Sequence, residues 1–349
     1  MEKVKWGVLG TANIAKGCTI PGMKLVDTCE LYAIAGRDIN KANKFKEEFG
    51  FKKAYGSYDE LIKDPEVQAI YIPLPNGLHL KWVKEALNNK KHVICEKPLA
   101  LNANDAREMF ETAKANGVIL MEAYAYLHSP YVKSLKEDID SGIIGDIDYI
   151  ESEFLTQGYS EDIRLYKEQG GGAMYDLGCY CTTMILSLID SKPSSVMANA
   201  YYTDLGVDEL TNALIKFENG VKAAFTVGMN LGKDTGARFD KLYVHGSKGA
   251  IRSDVEFNQE GELSYSIHLD NEVITRNISV PQNYSLEIAQ LNNCILNGDK
   301  QHVTPEFSIR NSELMDKVFE EIGYYIPVFA RLPRKSAVKG GCGGFGDRG

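Results

Sequence analysis

The sequence has no apolar run close to the roughly 20 residues that a membrane-spanning helix needs. It also has no excess of positive charge, since 48 acidic residues outnumber 39 basic residues and the net charge is −9. An acidic chain without a basic stripe is a poor match for sequence-independent binding of nucleic acid. We therefore expect neither a membrane nor a nucleic acid as a partner. The first residues, MEKVKW, form a strand pattern and not a signal peptide, which favours a cytoplasmic location.

Cysteine patterns typical of metal sites are also missing. None of the seven cysteines belongs to a Cys-x-x-Cys pair. Cys179 and Cys181 are close in sequence, but two thiols without converging histidines make a poor zinc site. The odd count favours thiols that serve as small core residues in a reducing compartment. We therefore expect no metal site.

Short apolar runs alternate with amphipathic segments in residues 1–122. The runs are continuously apolar, which is typical of strands buried on both faces of a parallel sheet. Strands separated by helices at this spacing predict right-handed βαβ units and an α/β domain. The predicted strands are 4–9, 31–35, 69–73, 92–95 and 118–121, and the predicted helices are 13–24, 40–49, 57–63, 77–89 and 103–116.

The pattern changes after residue 122, where longer strands with alternating apolar residues follow. Residues 123–330 are therefore predicted to form an α+β domain with a large, mostly antiparallel sheet. Residues 331–349 are rich in glycine and have no apolar period, which predicts a disordered tail. The predicted strands are 146–157, 195–203, 210–217, 221–228, 240–246, 249–254, 264–269 and 272–279, the hairpin turns are 218–220, 246–249 and 270–271, and the helices are 129–141, 284–297 and 308–322.

The first predicted strand runs into Gly10-Thr11-Ala12-Asn13-Ile14-Ala15, which opens a helix. This is a Gly-x-Gly-x-x-Gly/Ala arrangement with alanine at its second and third positions. Gly10 allows the tight turn, Ala12 leaves room for a pyrophosphate, and Ala15 allows the helix to pack closely on the strand. N–H groups at the helix start would face the phosphates. An ordinary βα turn also fits these residues, but their place at the start of a βαβ series favours a dinucleotide site.

The end of the second strand bears on the choice of cofactor. Its residues are Ala35-Gly36-Arg37-Asp38. An NAD-specific site usually has a carboxylate at the strand end, and Gly36 holds that position here. Arg37 can bind a 2′-phosphate through two parallel hydrogen bonds, whereas Asp38 can fold back toward the ribose. We expect NADP as the preferred cofactor and NAD as the alternative. A simpler interpretation of Arg37 is a solvated surface arginine.

The segment VICEKPLAL, residues 93–101, places Glu96, Lys97 and Pro98 at the end of an apolar strand. A buried strand has no use for a carboxylate, an ammonium and a ring without an N–H donor. Ligands bind at the carboxyl ends of parallel strands, so Lys97 would lie near a nicotinamide ring. There it would polarise a substrate hydroxyl and favour the deprotonated form of a neighbouring acid, with Glu96 orienting the ammonium. On spacing alone, a salt bridge at the strand end is an equally good interpretation.

Five segments in order resemble the Gfo/Idh/MocA family of oxidoreductases, over roughly residues 4 to 325. The resemblance implies a Rossmann domain followed by a substrate-binding domain with an open-faced antiparallel sheet, which forms the interface of a homodimer or homotetramer. The DLGCY pattern is similar to the branch of dimeric dihydrodiol dehydrogenases and NADP-dependent D-xylose dehydrogenases. The five segments are the Gly-x-x-Ala turn, IPLPNGLH (72–79), CEKPLAL (95–101), LMEAY (120–124) and GGGAMYDLGCY (170–180).

The resemblance assigns catalytic roles to three residues. Lys97 matches the catalytic lysine of the family's Glu-Lys-Pro triplet. Tyr180 stands where many relatives have histidine, and in the tyrosine branch this residue is the acid/base. Asp176 matches an aspartate four residues earlier, and this spacing places both side chains on one face of a helix. A tyrosine with its ordinary pKa of about 10 is a poor base at neutral pH, so we expect the cation of Lys97 to assist Tyr180.

Residue patterns and the resemblance together predict the remaining contacts. Lys97, Asp176 and Tyr180 would contact the substrate, and so would Arg164, for which a surface position is an equally good interpretation. A packing role for His79 is nearly as good as a cofactor contact. The predicted cofactor-binding residues are Gly10, Thr11, Ala12, Asn13, Ile14, Arg37, Pro75, Asn76, His79, Glu96, Lys97 and Glu122.

We predict an NAD(P)-dependent oxidoreductase that transfers a hydride between nicotinamide C4 and a hydroxyl-bearing carbon of a sugar, cyclic polyol or diol. Relatives in this branch often have Arg-Phe-His-Pro where this chain has Leu127-His128-Ser129-Pro130, so their substrates do not transfer to it. One alternative is an NAD-dependent glycosidase that oxidises its substrate transiently, although such enzymes favour histidine at the position of Tyr180. The other is a non-catalytic dinucleotide sensor, which the intact Lys97, Asp176 and Tyr180 disfavour.

Overall fold

A computed structural model shows two sheets with helices packed on them. It describes residues 2–157, 162–229, 231, 238–254 and 257–324. The predicted glycine-rich tail, 331–349, lies outside the described residues. Within the described ranges, no helix is both long enough and apolar enough to cross a membrane.

The N-terminal part contains six strands: β1 (Val4–Leu9), β2 (Cys29–Ala35), β3 (Lys53–Tyr55), β4 (Ala69–Ile72), β5 (His92–Glu96) and β6 (Leu120–Ala123). They form one parallel sheet in the order β3-β2-β1-β4-β5-β6. Most of its residues are buried, because helices cover both faces. The predicted α/β fold is confirmed. The three-residue strand β3 was not predicted, since it is short and has no apolar run.

Five helices connect these strands. The predicted helix 13–24 contains a π-helical segment, Ala15–Thr19, which continues into α1 (Ile20–Lys24). Ser57 and Asn102 cap the helices that follow them by accepting N–H groups of the first turn, as their short polar side chains favour. The other helices are α2 (Ile39–Phe49), α3 (Tyr58–Lys63), α4 (His79–Asn88) and α5 (Ala103–Asn116).

The C-terminal part contains a second sheet, with the predicted hairpins β9–β10, β11–β12 and β13–β14. Its strands are β7 (Ile147–Thr156), β8 (Pro193–Tyr202), β9 (Asp208–Phe217), β10 (Lys222–Gly228), β11 (Arg238–Gly246), β12 (Gly249–Ser253), β13 (Gly261–Leu269) and β14 (Val273–Val280). Their order is β14-β13-β12-β11-β7-β10-β9-β8, and β7 and β10 pair in parallel while the other neighbours are antiparallel. The predicted mostly antiparallel sheet is confirmed.

Among the described residues of this part, four helices accompany the sheet: α6 (Pro130–Asp140), α7 (Cys179–Leu188), α8 (Asn283–Asn297) and α9 (Pro305–Glu321). The apolar helix α7 follows a second π-helical segment, Met174–Gly178, and packs on one face of the sheet. The opposite face is open, since residues along β9 alternate between buried and exposed. This sheet is therefore covered on one side only.

Helix α8 joins the two parts although it lies late in the chain. It packs against α1 and β1, and the indole Nε1 of Trp6 donates a hydrogen bond to Asn292 Oδ1 at 2.9 Å. Gln282, which precedes α8, donates from Nε2 to the carbonyl oxygen of Cys18 at 3.0 Å. Residues of both parts belong to one hydrophobic core. The cleft between the two sheets is therefore built on a continuous core.

Candidate active site

A cleft of about 680 Å³ lies at the carboxyl ends of β1, β4 and β5, opposite the covered face of the second sheet. Its lining runs from the residues after β1, through Glu96 and Lys97, to Tyr180 and residues near the start of α8. A larger groove of about 930 Å³ lies elsewhere, among α6, α7, α8 and α9. We assign the chemistry to the smaller cleft, because it holds the predicted catalytic groups.

The loop after β1 forms one end of the cleft, where Ala12, Asn13 and Ile14 line it. Gly10 has a φ of +129°, a conformation open to glycine and costly for other residues, and its N–H donates to the Ala35 carbonyl at 2.9 Å. Thr11 lies beside Gly36 at the rim of this loop. The predicted dinucleotide loop therefore has the tight turn that its sequence indicated.

Arg37 and Asp38 follow β2 and play different parts in the structure. Arg37 is exposed, and its guanidinium lies beside the hydroxyl of Tyr58; burial raises the pKa of Tyr58, and the charge of Arg37 partly offsets this effect. Asp38 accepts the N–H of Asn40 at 2.8 Å and thereby caps α2. The Asp38 carboxylate is thus held at the helix start.

Lys97 lies where the two parts of the chain meet. Its Nζ donates to the Asp176 carbonyl oxygen at 2.7 Å and to Asp176 Oδ1 at 3.0 Å, and it lies 4.7 Å from the centre of the Tyr180 ring. Burial lowers the pKa of Lys97, but the charge of Asp176 and the neighbouring phenol raise it above its usual range. Lys97 is therefore a fixed cation against the face of Tyr180.

Asp176 joins two cations. Its Oδ2 lies 2.7 Å from Nε of Arg164, and Arg164 also pairs with Asp162 at 3.0 Å. Burial raises the pKa of Asp176, but Arg164 and Lys97 together hold it well below its usual range. The structure thus brings together Lys97, Asp176, Arg164 and Tyr180, which the sequence predicted as one site. Arg164 lines this site and is not a detached surface arginine.

Tyr180 lies at the start of α7 and is 8% exposed. Rings of Tyr124, Tyr126, Phe154 and Phe257 surround it. Burial raises the pKa of Tyr180 to about 12, although the charge of Lys97 and a hydrogen bond from Asn258 act to lower it. The phenol is therefore protonated at neutral pH in this state.

We expected Glu96 to orient the ammonium of Lys97, and the two side chains form no ion pair among the described contacts. Glu96 accepts a hydrogen bond from the hydroxyl of Tyr71, which also lies 2.9 Å from Thr19 Oγ1. Burial raises the pKa of Glu96. Asp176, from the other part of the chain, forms the ion pair with Lys97. Glu96 lines the cleft beside Lys97, whose charge acts to lower the pKa of Glu96 against burial, and an orienting role of Glu96 stays a prediction.

The remaining predicted residues hold loops around the cleft. Pro75 and Asn76 line it, and Asn76 Nδ2 donates to the Gly170 carbonyl at 2.8 Å. His79 is fully buried, with its ring nitrogens 3.0 Å from the Pro98 carbonyl and 2.7 Å from that of Leu74. Glu122, also buried, accepts the N–H of Leu99 at 2.8 Å. His79 and Glu122 stand behind the cleft, and a direct cofactor contact of either stays a prediction.

Several cleft residues were missed from the sequence, among them Arg238, Asn258 and Tyr284. Arg238 pairs with Asp240, donates to the Phe257 carbonyl at 2.9 Å and lies 4.4 Å from the centre of the Phe154 ring. Asn258 donates from Nδ2 toward the hydroxyls of Tyr180 and Tyr284, at 3.2 and 3.5 Å. No local motif marks these residues, because the fold brings them together from a strand, a turn and the start of a helix that are far apart in the chain.

Comparisons with known proteins agree with this geometry. Residues 4–124 match an oxidoreductase family with an NAD-binding Rossmann fold, and residues 132–252 match the GFO/IDH/MocA C-terminal domain. The chain is 32% identical to trans-1,2-dihydrobenzene-1,2-diol dehydrogenase of Xenopus laevis, over 93% of this chain and 99% of that protein. It is 31% identical to D-xylose 1-dehydrogenase (NADP(+)) 2 of Haloferax volcanii, over 90% and 96% of the two chains.

A similar solved structure is that of KijD10, a 3-ketoreductase from Actinomadura kijaniata, in complex with NADP and TDP-benzene. The two structures have a TM-score of 0.86 and 28% sequence identity, and the match covers 92% of this chain and 98% of KijD10. The parallel sheet and strands β7 to β11 of the second sheet lie within the two matched ranges. The chain therefore belongs to the Gfo/Idh/MocA family of NAD(P)-dependent oxidoreductases.

Proposed function

We propose that this enzyme transfers a hydride between nicotinamide C4 and a hydroxyl-bearing carbon of a sugar, cyclic polyol or diol, with Tyr180 as acid/base and Lys97 as its cation. The observation that carries this proposal is the position of the Lys97 ammonium, 4.7 Å from the centre of the Tyr180 ring, in a cleft whose other end is the dinucleotide loop. A proton-transfer group beside a buried cation suits the interconversion of an alcohol and a carbonyl.

The residues present fit a nicotinamide dinucleotide. Gly10 and Ala12 leave the backbone after β1 open to a pyrophosphate, and residues 13–15 offer N–H groups at the start of a helical segment. Arg37 would hold a 2′-phosphate, while the Asp38 carboxylate is already used to cap α2. This arrangement favours NADP over NAD. When bound, the dinucleotide accepts or supplies the hydride.

In its protonated form, Tyr180 can act as the acid when a carbonyl is reduced. With a pKa of about 12, the phenol carries its proton at neutral pH and can donate it to a carbonyl oxygen that gains negative charge. Lys97 would then stabilise the phenolate, and Asp176 keeps the ammonium charged and in place. Oxidation uses the same groups in reverse, with the phenolate accepting the hydroxyl proton.

Charges in the cleft favour a neutral, polar substrate. Arg164 is paired with Asp162 and Asp176, and Arg238 is paired with Asp240. Paired arginines still offer N–H donors but attract an anion weakly. A neutral sugar or diol suits such a site, and relatives named as diol and xylose dehydrogenases act on neutral compounds of this kind.

The test is a panel of aldoses, inositols, diols and the corresponding ketones, assayed with NADP(H) and NAD(H) by absorbance of the reduced cofactor. We expect saturable turnover of at least one neutral polyhydroxy compound, with a preference for the phosphorylated cofactor. Release of the aglycone from an added aryl glycoside, without net change in reduced cofactor, would instead favour the glycosidase, which Tyr180 disfavours. Saturable NADPH binding without turnover of any compound would favour the sensor.

We also infer that two or four copies associate through the open face of the second sheet. Met197, Tyr201, Leu214 and Phe239 are each more than half exposed there, and Met197 lies directly opposite Leu214 on the neighbouring strand. An exposed apolar patch of this kind is typical of a protein interface. Light scattering of the wild-type protein should show a dimer or tetramer, and Leu214→Asp should reduce the measured mass. A monomeric wild-type protein, or an unchanged mass in Leu214→Asp, would contradict this inference. A cytoplasmic location stays a prediction.

A further inference from the structure

Asp208 is a buried carboxylate that the chemistry proposed above does not use. It is the first residue of β9, it is fully buried, and it does not belong to the cleft lining. Its Oδ2 accepts the N–H of Met174 and the hydroxyl of Thr211, each at 2.7 Å. Its Oδ1 is buried and has no hydrogen-bond partner among the described residues. Burying such a carboxylate is costly, which is a reason to look for a function.

The groups that touch this carboxylate begin the helix that carries two of the catalytic residues. Met174 opens the π-helical segment that continues into α7. Gly172 has a φ of +109° and lies so close that a Cβ there would be 2.0 Å from Asp208 Oδ1. The Gly172 carbonyl in turn accepts the N–H of Asp176 at 3.1 Å. Asp208 therefore contacts both residues at which the turn with Asp176 begins.

A helix start needs an acceptor, and here a distant strand supplies it. The first N–H groups of a helix have no partner within the helix, and the aligned peptide dipoles leave a partial positive charge at this end. The acceptor usually comes from the residue before the helix, but Ala173 holds that position and has no acceptor in its side chain. Asp208, 34 residues later in the chain, accepts the Met174 N–H instead. Such a cap fixes the helix start relative to the sheet.

We propose that Asp208 is a positioning residue for the reaction: as the cap of this helix it holds Asp176 and Tyr180 in place opposite Lys97, and its negative charge is needed for full activity. Asp176 lies in the first turn after the capped N–H, and Tyr180 follows in the next turn. Lys97 directly follows β5 of the other sheet, so a shift of the helix start would separate it from both. This inference rests on the proposed function, because it takes these three residues as the catalytic groups.

The charge of Asp208 changes with pH. Burial raises the pKa of Asp208 to about 6, although hydrogen bonds from Thr211 and from the Met174 N–H and the charge of Lys167 act to lower it. Protonation as the pH falls through about 6 therefore removes the charge of the cap, and kcat should fall with it. Phenols whose pKa values are raised by the charge of Asp208, and which stay neutral in this pH range, are those of Tyr175, Tyr202 and Tyr324.

The experiment measures kcat from about pH 5 to about pH 8 for wild type and for Asp208→Asn, on the best substrate of the panel. Asparagine keeps the shape and an acceptor oxygen but has no charge, so the variant should resemble the protonated wild type. We expect the ratio of wild-type to variant kcat to be about five at pH 8, because hydrogen bonds to charged acceptors are stronger than those to neutral ones. The ratio should approach one at pH 5, with a midpoint near the pKa of about 6.

Thr211→Val tests the same carboxylate without replacing it, and it decides the question if Asp208→Asn does not fold. The hydrogen bond from Thr211 acts to lower the pKa of Asp208, so its loss should raise that pKa. The variant should match wild-type kcat at pH 8 and lose activity at a higher pH than wild type as the pH falls. A purely structural role of β9 would not move the midpoint in this direction.

Asp316→Asn is the matched control, since Asp316 also accepts an N–H at the start of a helix. It accepts that of Ala103 in α5 at 2.9 Å, and no residue of α5 is in the described cleft lining. The ratio of wild-type to variant kcat should stay near one at every pH. Because the dinucleotide loop belongs to the other sheet, KM for NADP should stay within about twofold of wild type in Asp208→Asn.

Two kinds of result would count against the inference. A ratio for Asp208→Asn that does not change between pH 5 and pH 8, or a midpoint for Thr211→Val at or below that of wild type, would overturn the inference while the proposed function stands. Full activity of Tyr180→Phe, or no turnover of any compound, would overturn the proposed function and the inference with it.

Discussion

The two sheets contribute to the cleft in different ways. The parallel sheet contributes loops that directly follow its strands, at residues 10–14, 75–76 and 96–97. The second domain contributes side chains from distant elements, among them Tyr180, Asn258 and Tyr284. We expect loops of this kind to bind the parts that all dinucleotides share, and the converging side chains to select the substrate. Short sequence motifs therefore indicate the cofactor site, whereas no such motif indicates the substrate site.

Lys97 is the exception in this comparison, because it follows a strand of the first sheet and finds its partners in the second domain. We expect Lys97→Met and Tyr180→Phe each to reduce kcat at least about a hundredfold, the typical scale for loss of a proton-transfer group. Cofactor titration should show nearly unchanged binding of NADPH by Tyr180→Phe. Steady-state rates on the best substrate of the panel would measure the effect.

Lys133→Met and Thr112→Val are the controls for these two variants, since neither residue lines the cleft and neither belongs to the proposed interface. Each should retain wild-type kcat. Near-normal turnover in both Lys97→Met and Tyr180→Phe would defeat the proposed roles.

Asp176, from the second domain, keeps the ammonium of Lys97 in the first domain charged. Asp176→Asn should lower kcat about tenfold or more, because hydrogen bonds to charged groups contribute about 1.5–3 kcal/mol. The Asp176 charge raises the pKa of Lys97 against the effect of burial. Without that charge the ammonium loses its proton at lower pH, so the alkaline limb of the kcat–pH profile should move to lower pH.

Asp162→Asn provides the comparison for Asp176, since Asp162 also pairs with Arg164 but has no bond to Lys97 among the contacts of the described chain. The alkaline limb should stay where it is in this variant. An identical shift in both variants would mean that the overall charge of the cleft, and not the Asp176–Lys97 pair, sets the pKa of Lys97.

Arg37 tests whether the first domain alone selects the cofactor. Arg37→Ala should raise KM for NADP about tenfold, because a charge-assisted contact with the 2′-phosphate is lost, and should leave KM for NAD nearly unchanged. Lys41→Ala, on the exposed side of α2, is the control. Equal effects on both cofactors would place recognition of the phosphate elsewhere.

Substitution of Asp38 should have the smallest effect of these changes. Asp38→Ala should lower the free energy of unfolding by about 1 kcal/mol through loss of the α2 cap, and should not change the ratio of KM values for NADP and NAD. Urea unfolding measures the first quantity, and Asp38→Asn, which retains a capping side chain, should be close to wild type. A changed cofactor preference would show that Asp38 contacts the ribose.

Most of the fold could be predicted because the apolar patterns are local. Continuous runs indicated the buried parallel strands, and alternating runs with turn sequences indicated the hairpins of the second sheet. Two features escaped prediction for physical reasons. Strand β3 has three residues and no apolar run, and the parallel pairing of β7 with β10 depends on contacts between segments far apart in the chain.

The candidate site shows the same limit. Lys97, Asp176 and Tyr180 belong to short motifs, and the structure brings them together as expected. The partner of Glu96 is Tyr71, on a neighbouring strand, which no motif indicates. Asn258 and Tyr284 reach Tyr180 only through the folded second domain, so their polar side chains in a turn and a helix start carried no signal of their own.

Helix α8 has a consequence for the modularity of this enzyme. It is encoded after the second sheet, yet its bonds to Trp6 and, through Gln282, to Cys18 attach it to the first domain. A chimera joined near residue 123 would combine α8 of one parent with the first helix of another, and Tyr284 would lose its support. Grafting a new specificity onto this scaffold therefore requires that both helices come from the same parent.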